Sequence, residues 1–158
     1  MGNINDPVKS NYILNKKTLH QLEMEVLLFS GLDERYFTRY DVPVGEFEGE
    51  PVTIRTVIIS DKHVSKRDDG VKREKLVLMH GYAGAGALFF AILKRLVPYF
   101  DVLLIDMIGQ GGSSRPNDYD YENITPEESI QYFTDYVERW RKAMKRFFYR
   151  FENKMSAA

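Results

Sequence analysis

Two short apolar runs, Leu76 to Met79 and Val102 to Ile105, each end in a Gly-rich turn, with about five turns of helical pattern between them, loops included. That pattern predicts one β-loop-α-β unit. Continuous apolar runs, unlike alternating ones, suit strands covered on both faces, so the sheet is expected to be parallel here and sandwiched by helices. In such sheets ligands bind at the carboxyl ends of the strands, which is where both Gly-rich turns fall.

Around this unit the pattern changes twice. Upstream, Met1 to Asn11 is polar and expected to fray, and Leu14 to Phe29 carries Leu19, Leu22, Val26 and Phe29 at helical spacing, with Ser30-Gly31 as the stop. Arg35 to Val44 alternates, with Tyr36, Thr38, Tyr40 and Val42 on one face and Pro43 marking an edge or terminal strand; Val52 to Ser60 is rich in β-branched residues. The intervening Gly45 to Pro51 reads as a hairpin turn, so the two strands should pair antiparallel. Asp61 to Lys75 mixes acidic and basic residues around one Gly and reads as a solvated hairpin loop.

Between the two apolar runs, Ala85 to Tyr99 is expected to be helical, with Leu88, Ile92 and Leu96 at helical spacing and Pro98 limiting its length. Ser113 to Ile124 is a loop whose tyrosines either face a ligand or cover the end of the sheet. Thr125-Pro126-Glu127-Glu128 opens the last helix with an N-cap, a first-position proline and a capping-box glutamate. Ile130, Phe133, Val137, Trp140, Met144, Phe147 and Phe151 follow at spacings of three and four. Acidic residues lie early and basic ones late, as the helix dipole favours. Such a helix covers the sheet; alternatively its basic, aromatic end lies on a lipid surface. Two segments result, 1–34 with the polar start and first helix, and 35–158 with the α/β domain.

Composition narrows the function classes. The 158 residues are 44% hydrophobic and 13% aromatic, enough for a core, and the net charge of −1 provides no global attraction to nucleic acid. No cysteine is present, so disulfides, thiolate nucleophiles and cysteine-based metal sites are excluded. No cofactor and no metal is expected: no His/Asp/Glu cluster has ligand spacing, Gly109 to Gly112 lacks the Lys-Ser/Thr ending of a P-loop, and Gly84-Ala-Gly86-Ala-Leu-Phe89 puts Phe where a dinucleotide fingerprint needs Gly or Ala. No run approaches the roughly 18 apolar residues of a spanning helix, which predicts a soluble, cytoplasmic chain, or one peripheral to a lipid surface.

One resemblance is specific. A strand ending His80-Gly81-Tyr82, followed after one helix by Asp106-x-x-Gly109-x-Gly111-x-Ser113-x-x-Pro116, resembles the α/β-hydrolase family, and Glu128 to Met144 looks like the next helix in its lipid-acting abhydrolase-domain subfamily of N-acyl phospholipid lipases and a lipase co-activator. The resemblance covers Lys75 to Met144 and implies a partial α/β-hydrolase fold, with an antiparallel hairpin leading into a parallel sheet with covering helices. It implies that the backbone N–H of Tyr82 is one donor of an oxyanion hole, and that Asp106 and Gly109 to Ser113, with Gly111 among them, form the turn that fixes the fourth strand. Gly81, Gly84 and Gly86 either let the backbone approach a substrate or only make a tight turn, and His80 is read as a brace of the loop rather than a base.

The family's remaining chemistry is missing from the sequence. None of the eight serines sits in Gly-x-Ser-x-Gly, and His20, His63 and His80 all precede the place of a catalytic histidine. Two readings follow. Either the chain is the amino-terminal part of a serine hydrolase acting on lipid-type carboxylic esters or amides, inert as written, or it is a non-catalytic relative that binds a partner or lipid surface. Leu76 to Met79 would then be an open sheet edge, suited to a dimer or a partner that supplies a strand.

Overall fold

The computed structural model describes residues 18–60, Gly70 and residues 73–155, with side chains as far as residue 148. The polar start, the first turn of the expected first helix and most of the 61–75 loop lie outside the described residues, as do the side chains of Arg150 and Phe151.

A four-stranded sheet organises the chain, in the order β1-β2-β4-β3. β1 (Phe37–Phe47) and β2 (Glu50–Ile59) form the antiparallel hairpin, β2 runs antiparallel to β4 (Phe100–Ile105), and β3 (Glu74–Met79) is parallel to β4. The hairpin is tighter than the expected Gly45 to Pro51 turn. Only Glu48 and Gly49 turn, both at positive φ (51° and 82°), the conformation of a two-residue loop that matches strand twist. Glutamate at the first of those positions carries no turn signal, which is why the strands run longer than the sequence suggests. Pro43 is accommodated by a register shift between Pro43 and Gly45 on the edge strand.

β4 is buried along both faces. Leu103 and Ile105 join Val42, Val52 and Ile54 beneath the long helix α3 (Pro126–Met155), whereas Val102 and Leu104 join Val57 and Ile59 beneath α1 (Leu19–Leu28) and α2 (Phe90–Leu96). Alternation of side chains along the apolar run Val102 to Ile105 thus supplies two cores, and the described residues form helix, sheet and helix in layers. β3 departs from the expectation of a strand covered twice. Its place at an open sheet edge is as expected, and with a neighbour on one side only it leaves Val77 44% and Met79 49% exposed.

The helices start where the capping chemistry puts them and bury faces that spacing misassigned. Thr18 and Gln21 close a reciprocal box at the start of α1, as Thr125 and Glu128 do at α3. α1 buries Leu27, not the stripe from Leu19 to Phe29, since apolar residues occur around most of its circumference and contact with the sheet selects the face. Between the apolar runs, a 3-10 turn (Gly86–Phe89) precedes the two-turn α2, and the switch in helical pitch rotates the pattern. Leu93 and Val97 are consequently buried, while Leu88 and Ile92 are exposed. In α3, Tyr136, Trp140 and Met144 are buried, but Ile130 is 68% exposed.

Two polar contacts tie layers together. Glu23 of α1 meets Arg55 of β2 at 3.0 Å, and Arg55 also reaches Asp41 at 2.6 Å; burial pushes the Glu23 carboxyl above its usual range even though Arg55 pulls it down. On the other face, the buried Trp140 indole donates to Thr56 Oγ1 at 2.9 Å. Thr56→Val should therefore cost about 1–3 kcal/mol, because a near-isosteric methyl leaves the indole N–H buried without an acceptor. Urea unfolding followed by the emission of this single tryptophan measures it, and an unchanged midpoint would refute the assignment.

Candidate active site

β3 and β4 run in parallel with Met79 opposite Ile105, so the two turns that follow them leave the same end of the sheet. His80 links them. Its Nε2 lies 3.0 Å from the Met107 backbone N–H and its Nδ1 lies 2.7 Å from the Gly81 carbonyl. An amide nitrogen can only donate, so Nε2 is the acceptor and the proton sits on Nδ1, donated to Gly81. Both nitrogens are committed, which leaves His80 no lone pair for use as a base.

Gly81 to Gly84 is a tight turn closed by Gly84 N–H donating to the Gly81 carbonyl at 3.1 Å, with Ala83 at φ +55°. A Cβ at Gly84 would lie 3.0 Å from His80 Cβ, and one at Gly86 would lie 2.9 Å from Leu104 Cβ. These two glycines are needed for close approach. Tyr82 stands at the tip, 98% exposed, and among the described residues no group accepts its backbone N–H.

Asp106 is the hub of the second turn. Its buried carboxylate accepts the Gly86 N–H at 2.6 Å and the Gly112 N–H at 2.7 Å, joining both turns through one side chain. Gly111 sits at φ +51° directly against that carboxylate, where a Cβ would collide with it, and Gly109 at φ +80° donates to the Ser114 carbonyl. Ser113 is buried, its hydroxyl donating to the Asp106 carbonyl at 2.7 Å and accepting from Arg55 N–H at 2.9 Å. Ser114 Oγ accepts the Thr53 N–H at 2.9 Å. Neither serine is presented as a nucleophile. The structure brings His80, Gly84, Asp106, Gly111 and Ser113 together at this end of the sheet, with Gly81 and Tyr82 at the exposed rim.

A cavity of about 500 Å³ opens beside this rim, between Tyr82, Ala83 and Ile108 on one side and Tyr119, Tyr132 and Phe133 on the other. Gln110 and Arg115 also line it. A second hollow of about 390 Å³, walled by Met79, Met107, Ile130 and Val137, adjoins it, with Phe133 lining both. Of the loop tyrosines, Tyr119 lines the cavity, packs on Tyr132 and bonds Ser129 at 2.7 Å, whereas Tyr121 is exposed. Asp118 accepts both the Tyr132 hydroxyl at 2.6 Å and the Tyr136 hydroxyl at 2.9 Å, which anchors the loop to α3. Burial and that carboxylate push both phenols up, so they stay protonated as donors. The sequence does not single out Gln110, Tyr132 or Asp118, since their roles depend on partners 14 to 18 residues away or on the cavity itself. Among the described residues no group of three His, Asp or Glu side chains could hold a metal ion, and no helix is long and apolar enough to cross a membrane.

Residues 75–141 match the family described as alpha/beta hydrolase fold. That stretch is under half of the chain and is similar to the α/β-hydrolase family. Over 68 residues, 43% of this chain and 16% of the relative, it is 43% identical to the 1-acylglycerol-3-phosphate O-acyltransferase of Arabidopsis thaliana. It is 28% identical over 129 residues, 81% of this chain and 27% of the relative, to the abhydrolase domain-containing protein abhd-5.2 of Caenorhabditis elegans. Among solved structures, a candidate lipase of Acinetobacter baumannii AYE superposes with a TM-score of 0.56 at 15% identity, over 82% of this chain and 35% of the other, a likeness of fold. The chain thus spans less than a third of the length of these curated relatives.

Proposed function

We propose that this chain carries the oxyanion side of a serine α/β-hydrolase or acyltransferase site for lipid-type esters or amides, and that it is catalytically inert as written. Its main support is the turn after β3. The backbone N–H of Tyr82 is unengaged at the mouth of a largely apolar cavity, held there by the His80 brace and by Asp106. A preorganised N–H of this kind stabilises the tetrahedral oxyanion of acyl transfer. The acyltransferase relative, named for 1-acylglycerol-3-phosphate, favours a lipid among acyl substrates. The nucleophile and base steps have no residues here: Ser113 and Ser114 are committed to β2, and both nitrogens of His80 are occupied. Purified chain should therefore neither cleave p-nitrophenyl esters nor label with a fluorophosphonate. Labelling lost on replacing one particular serine would sink the proposal. Transcript sequence beyond the Ala158 codon decides between the amino-terminal part of an enzyme, which needs an in-frame strand and Gly-x-Ser-x-Gly, and a non-catalytic binder. The exposed apolar edge of β3 favours the second reading as an alternative, with a partner or a lipid surface on that edge.

A further inference from the structure

Arg115 is the one cation on the wall of the cavity beside Tyr82. Its Nη1 donates to the Ser113 carbonyl at 3.2 Å and its Nη2 to the Gly111 carbonyl at 2.9 Å, so the guanidinium is held by the turn that Asp106 organises. Both partners are neutral. Among the described residues no carboxylate is ion-paired with it, and of its five N–H donors these two bonds use only two. Gln110 lines the same stretch of wall. The opposite wall is aromatic, and Phe133 joins the cavity to the apolar hollow between Met79 and Val137. Cation, aromatic wall and apolar extension therefore lie along one path.

Resting on the lipid reading above, we propose that this path binds a single-chain amphiphile, with Arg115 taking an anionic oxyanion head and the acyl tail running past Phe133. The volume of about 500 Å³ is within the range of small-molecule sites. A guanidinium held in a fixed orientation meets a phosphate or carboxylate with paired, charge-assisted hydrogen bonds, which a neutral head does not offer. Arg115 is then a specificity-determining residue.

The test is the affinity of the purified full chain for a 1-acylglycerol-3-phosphate with a fluorescent tail, kept below its micellar concentration, against a monoacylglycerol and a fatty acid with the same tail. Both anionic probes should bind at least about tenfold tighter than the neutral one, the effect of one good charge-assisted contact. Arg115→Gln should remove that preference while leaving monoacylglycerol binding unchanged, and Arg115→Lys should keep part of it. Equal affinity of the wild type for charged and neutral probes overturns the role of Arg115. So does an equal loss of all three in Arg115→Gln, with the urea midpoint showing whether the turn itself has failed. Displacement by inorganic phosphate at the concentration of the probe would make this a bare anion site and overturn the amphiphile. If none of the three tails binds, the lipid reading falls with it.

Discussion

Asp106→Ala should lower stability by about 2–4 kcal/mol, among the largest losses expected of a single substitution in this chain. The reason is arithmetic of donors. The carboxylate accepts the buried Gly86 N–H and the partly buried Gly112 N–H, and alanine leaves both without a partner in a place where water has little access. Asp106→Asn separates charge from geometry: its amide keeps one carbonyl acceptor but presents an NH₂ to the other N–H, so it should lose about half as much. The effect should reach the candidate site as well, because Gly86 and Gly112 belong to the two turns that frame the cavity. Urea unfolding of wild type and both variants measures the difference. A loss under about 1 kcal/mol in Asp106→Ala would show that the turns relax to find other acceptors, and that Asp106 is not what joins them.

How far the sequence disclosed this depends on which physical signal each element carries. β4 was legible because an unbroken apolar run has one good explanation, burial on both faces, and the start of α3 because Thr125, Pro126 and Glu128 specify local hydrogen bonds that need no tertiary partner. β3 carries the same kind of run, and there the expectation of cover on both faces fails, since the run reports what the strand can bury; its place at an open sheet edge is as the resemblance implies. The faces of α1 and α2 were misassigned for different reasons. α1 has too many apolar residues for spacing to choose among them, and the 3-10 turn ahead of α2 shifts the phase of its pattern. At the site, the glycine motif could be read by spacing, but what holds it could not. The link from Asp106 to Gly86 spans 20 residues, and that from His80 to Met107 spans 27. The cavity was least legible of all, because Arg115 and Gln110 are ordinary loop residues until the fold sets them opposite Phe133.

Self-association through β3 is the other large effect expected. In the described residues β3 has β4 on one side and no strand on the other, and its outward apolar side chains Val77 and Met79 are about half exposed. α3 does not shield it along its length. The helix crosses from Val137, near Met79, to Phe147, whose ring meets Tyr40 on β1 with centroids 4.8 Å apart, although Lys75 at the start of β3 lies 4.5 Å from the ring centre of Phe148. A strand edge of this kind offers unpaired N–H and C=O groups together with apolar surface, and natural sheets usually blunt such edges with charge. Glu74 and Lys75 provide charge only at the entry to the strand. The purified chain should accordingly sediment as a concentration-dependent dimer or larger species, and Val77→Lys, at a position 44% exposed, should weaken association by about tenfold or more, equivalent to at least 1.4 kcal/mol. Sedimentation velocity across a range of concentrations, for wild type and variant, decides the matter. A wild-type chain that stays monomeric throughout would mean that residues beyond those described cover β3, and a variant that associates as strongly as wild type would place the contact elsewhere on the molecule.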